Sequence, residues 1–487
     1  MFDEHKENDN SDFINDSNVQ IQNDINLDYK TEDLESNASE HLLFKDDEDL
    51  MVKETEIEKE SRVKYFGIYS DSKFSSIINL TTSTIGAGCL NYSYILAHIG
   101  LPLTAIIFIF VSISVYYTLD LLRRFVVDTK YFSFALITNE ILGKTWLKIY
   151  AICSLIFYLS VEINYLSIIY SLVSKMINFS GHQEIIFNII YFFITIFIEL
   201  CICMYISKIK KIHIFSLLST ILFIIILLIV LIQGIYNMIY QRDEKFKYDV
   251  LIKPKIVNKW EFFFGVMSFM IEFLYGYSYH SSYPTLLSNL KEVDEISTKH
   301  IHNISFFFIF ISYFLIAFFG FFLKISMFDI LLINNNNKSI EISNTLIHVF
   351  RIILCLFTTS VFPLRFIVIR DNYASLIIKE NQKKLPFKAD LISAFVCLLF
   401  CNLIVFLMKK SIITFNISLN CIQIFGGIFG VIIGFFLPVI NYVGVNGKRK
   451  IKSIIGYILT GIFSIVGVLS VCYSIYGLYI QNNYDNQ

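Results

Sequence analysis

The chain has 487 residues, 55% of them apolar by type and 17% charged, with a mean hydropathy of +0.60. An ordinary soluble domain is about 45–50% apolar and about 25% charged, so a purely soluble protein is excluded. The net charge of −1 hides a division: residues 1–60 hold 20 acidic and five basic residues, the rest 21 and 35.

Residues 1–72 are polar and acidic and cannot bury enough apolar surface to offset the entropy of ordering. They read as a mostly disordered cytosolic tail, and residues 73–487 as a transmembrane domain. The tail has no basic start followed by an apolar core, so it does not read as a cleaved secretory signal.

Eleven apolar runs follow, each long enough to cross a hydrocarbon core about 30 Å thick as a helix. They lie near 74–99, 101–123, 146–176, 185–207, 213–237, 261–287, 303–327, 342–370, 389–408, 417–443 and 453–480. Alternation with a period of two is absent, which excludes a transmembrane barrel. The sequence predicts an all-α integral membrane protein with eleven transmembrane helices. Basic residues cluster in alternate loops, at Arg123, Arg124, Lys208, Lys210, Lys448 and Arg449 among others. The positive-inside rule then puts the N-terminus in the cytosol and the C-terminus outside or in a lumen. The sequons at Asn178, Asn337 and Asn416 would face outward.

The nine cysteines all lie in or beside apolar runs and read as buried fillers rather than a metal or disulfide framework. No G-x-x-x-x-G-K-[ST] loop exists, so phosphate-driven pumping is unsupported. No cofactor and no nucleic-acid partner is expected.

The first span carries four hydroxyl residues, Thr81-Thr82-Ser83-Thr84, followed after Ile85 by Gly86-Ala87-Gly88. Glycine lets the backbone leave helical geometry, and hydroxyls can resatisfy the freed backbone groups. A half-helix N-terminus exposed there would offer N–H groups to an anion, and unwound carbonyls could hold a small cation. The alternative is a small-residue packing face. The sixth span holds Glu272, then Tyr275-Gly276-Tyr277-Ser278-Tyr279-His280, and Pro284. Interrupted helices in spans one and six are what a five-plus-five inverted repeat predicts, although no internal sequence repeat is visible.

These residues resemble the amino acid/auxin permeases, and within them the sodium-coupled neutral amino acid transporters. Gly86-Ala87-Gly88-Cys89-Leu90-Asn91-Tyr92-Ser93-Tyr94 is similar to the family's G-[AS]-G-I-L-x-L-[PS]-Y. The stretch Tyr279 to Lys291 resembles its C-H-P-E-x-x-P-I-Y-x-E-L-[KR], Phe362-Pro363-Leu364-Arg365 its F-P-x-R, and Gly426 to Pro438 its glycine-rich tenth span. The resemblance covers roughly residues 74–480. It implies a LeuT-like fold with helices 1 and 6 broken, and amino acid transport coupled to protons or sodium. Sodium-coupled members place an Asn before the first break, which Asn79 matches, and a Thr in the eighth span. Leu356 stands at that Thr position, with Thr358 and Thr359 displaced from it. The expectation is therefore proton-coupled or facilitated transport.

The expected substrate site comprises Ser83, Gly86, Ala87, Gly88, Tyr165, Tyr275, Gly276, Tyr277 and Ser278. The expected coupling residues are Asn79, Glu162, Glu272, His280, Thr358 and Thr359. Packing is the competing reading for Tyr165, and a satisfied core histidine for His280. Glu199 reads as structural. Arg365 is expected to snorkel toward the cytosolic face or to pair with an acidic group. Gly426, Gly430 and Gly434 read as a packing face. The predicted function is a secondary transporter moving neutral or cationic amino acids by alternating access, not an enzyme. A non-transporting amino acid sensor of the same fold is the alternative. The expected membrane is the plasma membrane or an acidic vacuole or lysosome-like compartment. The coupling ion, the exact amino acid and the oligomeric state stay open.

Overall fold

The computed structural model describes residues 64–65, 68–69, 72–86, 89, 91–177, 182–206, 212–240, 259–277, 279–288, 290, 293–322, 344–377, 387–408, 423–446 and 451–485. The acidic tail through residue 63, the three sequons, Ala87, Gly88 and Ser278 lie outside the described residues.

Apart from one two-residue ladder, Lys64–Tyr65 against Ile68–Tyr69, the regular structure described is helical. Helix α1 spans Lys73–Thr84, and the Ser72 side chain caps it by accepting from the Ser75 N–H at 3.1 Å. It stops where Ile85 turns extended (φ −68°, ψ 114°), and α2 resumes over Tyr92–Ile99. Gly100, at φ 80°, makes the turn into α3, Leu101–Thr129, with Pro102 in its first turn. Next come α4 (Phe134–Leu142), α5 (Lys144–Ile177), α6 (His182–Ile206) and α7 (Ile212–Tyr240).

Helix α8 runs Lys259–Gly276 and halts, and the chain turns helical again in the short α9, Tyr283–Leu287, opened by Pro284. The remaining elements are α10 (Glu295–Phe322), α11 (Asn344–Ile377), α12 (Phe387–Met408), a segment from Gln423 that ends in α13 (Leu437–Asn446), and α14 (Ile451–Asp485). Helical interruptions thus fall after Thr84 and after Gly276, at the glycine-bearing segments.

Among the described residues, seven helices are long and apolar enough to cross a membrane: Leu101–Thr129, Lys144–Ser174, Ile214–Ile239, Glu295–Phe322, His348–Leu376, Gln423–Val445 and Ile451–Gly477. Ile186–Cys201 and Ala394–Leu407 are shorter apolar stretches. Large apolar side chains such as Phe193, Phe197 and Ile232 stand outward and exposed. In water such a surface would be a liability, whereas hydrocarbon accepts it.

Three features depart from the expected layout. Helix α4 occupies a stretch expected to be loop; at nine residues it is too short to span, yet it buries Phe134 and Ile137. Helix α10 begins at Glu295 rather than near 303, because the Asp294 carboxylate accepts from the Ser297 N–H at 3.1 Å and caps it. Hydrogen bonds from the Ser297 hydroxyl and then from its backbone N–H hold the exposed Asp294 carboxyl below its ordinary pKa. The glycine-rich tenth run is wound as π-helix over Gly426–Gly430 and Ile432–Phe436. Its glycines pack as expected of small residues: Gly426 against Ile271 and Tyr275, Gly434 against His280 and Leu274, and Gly427 against Gly467 of α14.

Candidate functional site

The first interruption is fastened by its own hydroxyls. Ser83 Oγ and Thr84 Oγ1 both donate to the Leu80 carbonyl, at 2.9 and 2.8 Å. Thr82 Oγ1 donates to the Ser216 carbonyl at 3.1 Å and lies 2.6 Å from Thr220 Oγ1, tying α1 to α7. The chain then reaches Gly86 with no side chain at all. A Cβ there would fall inside the van der Waals envelope of the Tyr165 hydroxyl and 2.5 Å from a terminal nitrogen of Arg365. Only glycine allows the backbone so close to a phenol from α5 and a guanidinium from α11.

Arg365 does not snorkel: it is buried, and it faces the carboxyl of Glu162 electrostatically without an ion pair within 4 Å among the described residues. Only 8% of its surface is exposed, and its guanidinium carbon stands 4.7 Å over the Tyr165 ring centre. Tyr165, Glu162, Tyr158 and Tyr275 are its electrostatic neighbours. The Arg365 Nε and both carboxylate oxygens of Glu162 have no hydrogen-bond partner among the described residues. A buried cation and a buried carboxyl group therefore share one region with atoms left over for a further partner.

Gly86, Tyr165, Tyr275 and Glu162 thus come together, with Arg365 added. The other expected residues that are described make the following contacts. Glu272 Oε1 accepts from Gln423 Nε2 at 2.7 Å, and Gln423 Oε1 accepts from Ser474 Oγ at 2.6 Å, a buried chain toward α14. His280 Nε2 lies 3.0 Å from Thr118 Oγ1 on α3. Tyr277 accepts from Ser112 Oγ at 3.0 Å and stacks on Phe306. A Cβ on Gly276 would collide with the Tyr92 hydroxyl. Thr358 and Thr359 donate to carbonyls of their own helix, Leu354 and Cys355, both at 2.8 Å. Asn79 and Ser83 are buried on α1, and Leu356 points outward, 54% exposed. Glu199 accepts from Asn402 Nδ2 at 3.0 Å, between α6 and α12.

Residues 70–480 match the family model described as transmembrane amino acid transporter protein. The chain belongs to that family and is a multi-pass membrane transporter. No curated protein matches it in sequence. In structure it is similar to the Eremococcus coleocola manganese transporter in complex with an aromatic bis-isothiourea substituted compound. That likeness has a TM-score of 0.55 at 11% identity, covering 84% of this chain and 88% of that one. A histidine-to-alanine and a glutamate-to-glutamine variant of the same transporter match with TM-scores of 0.54 and 0.53, also at 11% identity and the same coverage. At such identity the likeness is one of fold.

Proposed function

We propose that this chain is a secondary transporter that moves amino acids across a membrane by alternating access. Eleven crossings arranged as a five-plus-five inverted repeat would account for the two interruptions, in α1–α2 and α8–α9. The observation that carries the reading is the approach of Tyr165 and Arg365 to the bare Gly86 backbone. A substrate carboxylate bound at this interruption would meet backbone N–H groups and the Arg365 guanidinium together, a charge-assisted arrangement. Tyr165 and Tyr275 would bound the pocket on the side-chain side. The acidic tail would face the cytosol, with the C-terminus outside or in a lumen.

Arg365→Gln tests this reading. The account expects labelled neutral amino acids to lose binding to the purified protein by about tenfold or more, the order of one charged hydrogen bond. Unchanged binding would remove Arg365 from the site.

Glu162 is the proposed carrier of a coupled proton. Both of its carboxylate oxygens lack a hydrogen-bond partner among the described residues, so the group is available to take up and release a proton as its surroundings change during transport. Glu162→Gln should bind substrate but lose the response of uptake to an imposed pH gradient. A gradient response equal to that of the unmodified protein would assign coupling elsewhere.

A further inference from the structure

The two interruptions meet at one side chain that no motif singles out. Tyr313, on α10 and fully buried, places its hydroxyl 2.9 Å from the Thr84 carbonyl and 2.9 Å from the Gly276 carbonyl. These are the terminal carbonyls of α1 and α8. Helix ends leave such carbonyls without intrahelical partners and carry partial negative charge. A phenol has one O–H proton to donate, so two converging acceptors share one donor.

In discontinuous membrane helices, unwound carbonyls and half-helix C-terminal ends are the groups that hold Na⁺ or H⁺. We infer that the Tyr313 hydroxyl is a built-in substitute for a monovalent cation between the carbonyl ends of α1 and α8, a positioning residue that makes this junction independent of alkali cations. It bonds the two half-helix ends to each other through α10, so movement of either interrupted helix must break or carry the Tyr313 contact. The ring itself lies 5.1 Å, centre to centre, from those of Tyr92 and Tyr277, contacts that a phenyl ring also makes. Tyr313→Phe therefore removes the donor and keeps the packing.

The inference rests on the proposed transport function for its role, but its test has a readout that needs no transport. Purified unmodified protein and Tyr313→Phe are melted in choline chloride and in sodium or lithium chloride at equal ionic strength. The unmodified protein should melt at the same temperature in all three. Tyr313→Phe should melt lower in choline and regain stability in sodium or lithium, because a desolvated cation can now satisfy both carbonyls. In proteoliposomes its uptake in choline should fall about tenfold, the order of a buried hydrogen bond left unmade, and recover with the alkali cation. A variant melting identically in all three salts, or an unmodified protein with the same salt response as the variant, overturns the inference. If Tyr313→Phe cannot be recovered, Tyr313→Gln, which restores a donor, should be recoverable and salt-indifferent; its loss or salt dependence overturns the inference as well. Absence of uptake by the unmodified protein would count against the transport function alone, leaving the melting result to decide on Tyr313.

Discussion

Gly86→Ala should reduce amino acid uptake by about ten- to a hundredfold. A single methyl group would enter space held by the Tyr165 hydroxyl and the Arg365 guanidinium. Overpacking of this kind costs about 1–3 kcal/mol, and each 1.36 kcal/mol on a barrier or a binding step is tenfold. Neither neighbour can yield freely, since Arg365 and Tyr165 are both buried and stacked on each other. The methyl group would instead push them away from the interruption, out of reach of a bound carboxylate. The variant is compared at equal amounts of membrane-inserted protein. Uptake within twofold of the unmodified protein would mean that this junction is packing and not a site.

Asp120→Ala should lower the stability of the purified protein by about 3 kcal/mol, near the low end for breaking a buried pair. Arg123 is fully buried, and its guanidinium lies 2.8 Å from Asp120 Oδ1. The same carboxylate accepts from Arg124 Nε at 2.9 Å. Arg123 also donates to Thr298 Oγ1 at 3.3 Å, which joins α3 to α10. Without Asp120 the guanidinium would be left to the exposed Glu295, 3.7 Å away, which softens the loss. Melting in detergent reads the effect. An unchanged melting temperature would show that Glu295 and water satisfy Arg123 unaided. Helix α10 also carries Tyr313, so loosening this joint should reach the interruptions.

Much of this architecture is legible in residue order. Hydroxyls followed by Gly86, and Gly276 among tyrosines, marked both places where the helix stops, because each segment violates what a continuous lipid-facing helix needs. Tyr165 is expected over the substrate or in the core, and its hydroxyl stands against the Gly86 backbone. Arg365 is buried over Tyr165 and faces Glu162 electrostatically rather than snorkelling, a placement that depends on the crossing of α5 and α11 and leaves no local sequence signal. Tyr313 left no trace because it is one of 29 tyrosines, and only the crossing of α1, α8 and α10 makes its hydroxyl meet two carbonyls. Glu272 shows the converse: its partner Gln423, 151 residues away, joins it to a chain leading to Ser474, which residue order alone does not announce. Long-range pairing of that kind has no local signature. The π-helical winding over Gly426–Gly430 and Ile432–Phe436 likewise has no sequence period that announces it.

The central claim is that the chain carries amino acids across a membrane, and uptake of a mixed panel of labelled amino acids into proteoliposomes tests it most directly. The panel is run under an imposed proton gradient, then a sodium gradient, then neither. The account predicts accumulation of one or more amino acids above equilibrium under the proton gradient, with sodium making no difference, or equilibration alone if transport is facilitated. No flux of any amino acid under any gradient, with ligand still bound by the purified protein, would contradict it and leave a binding protein of the same fold.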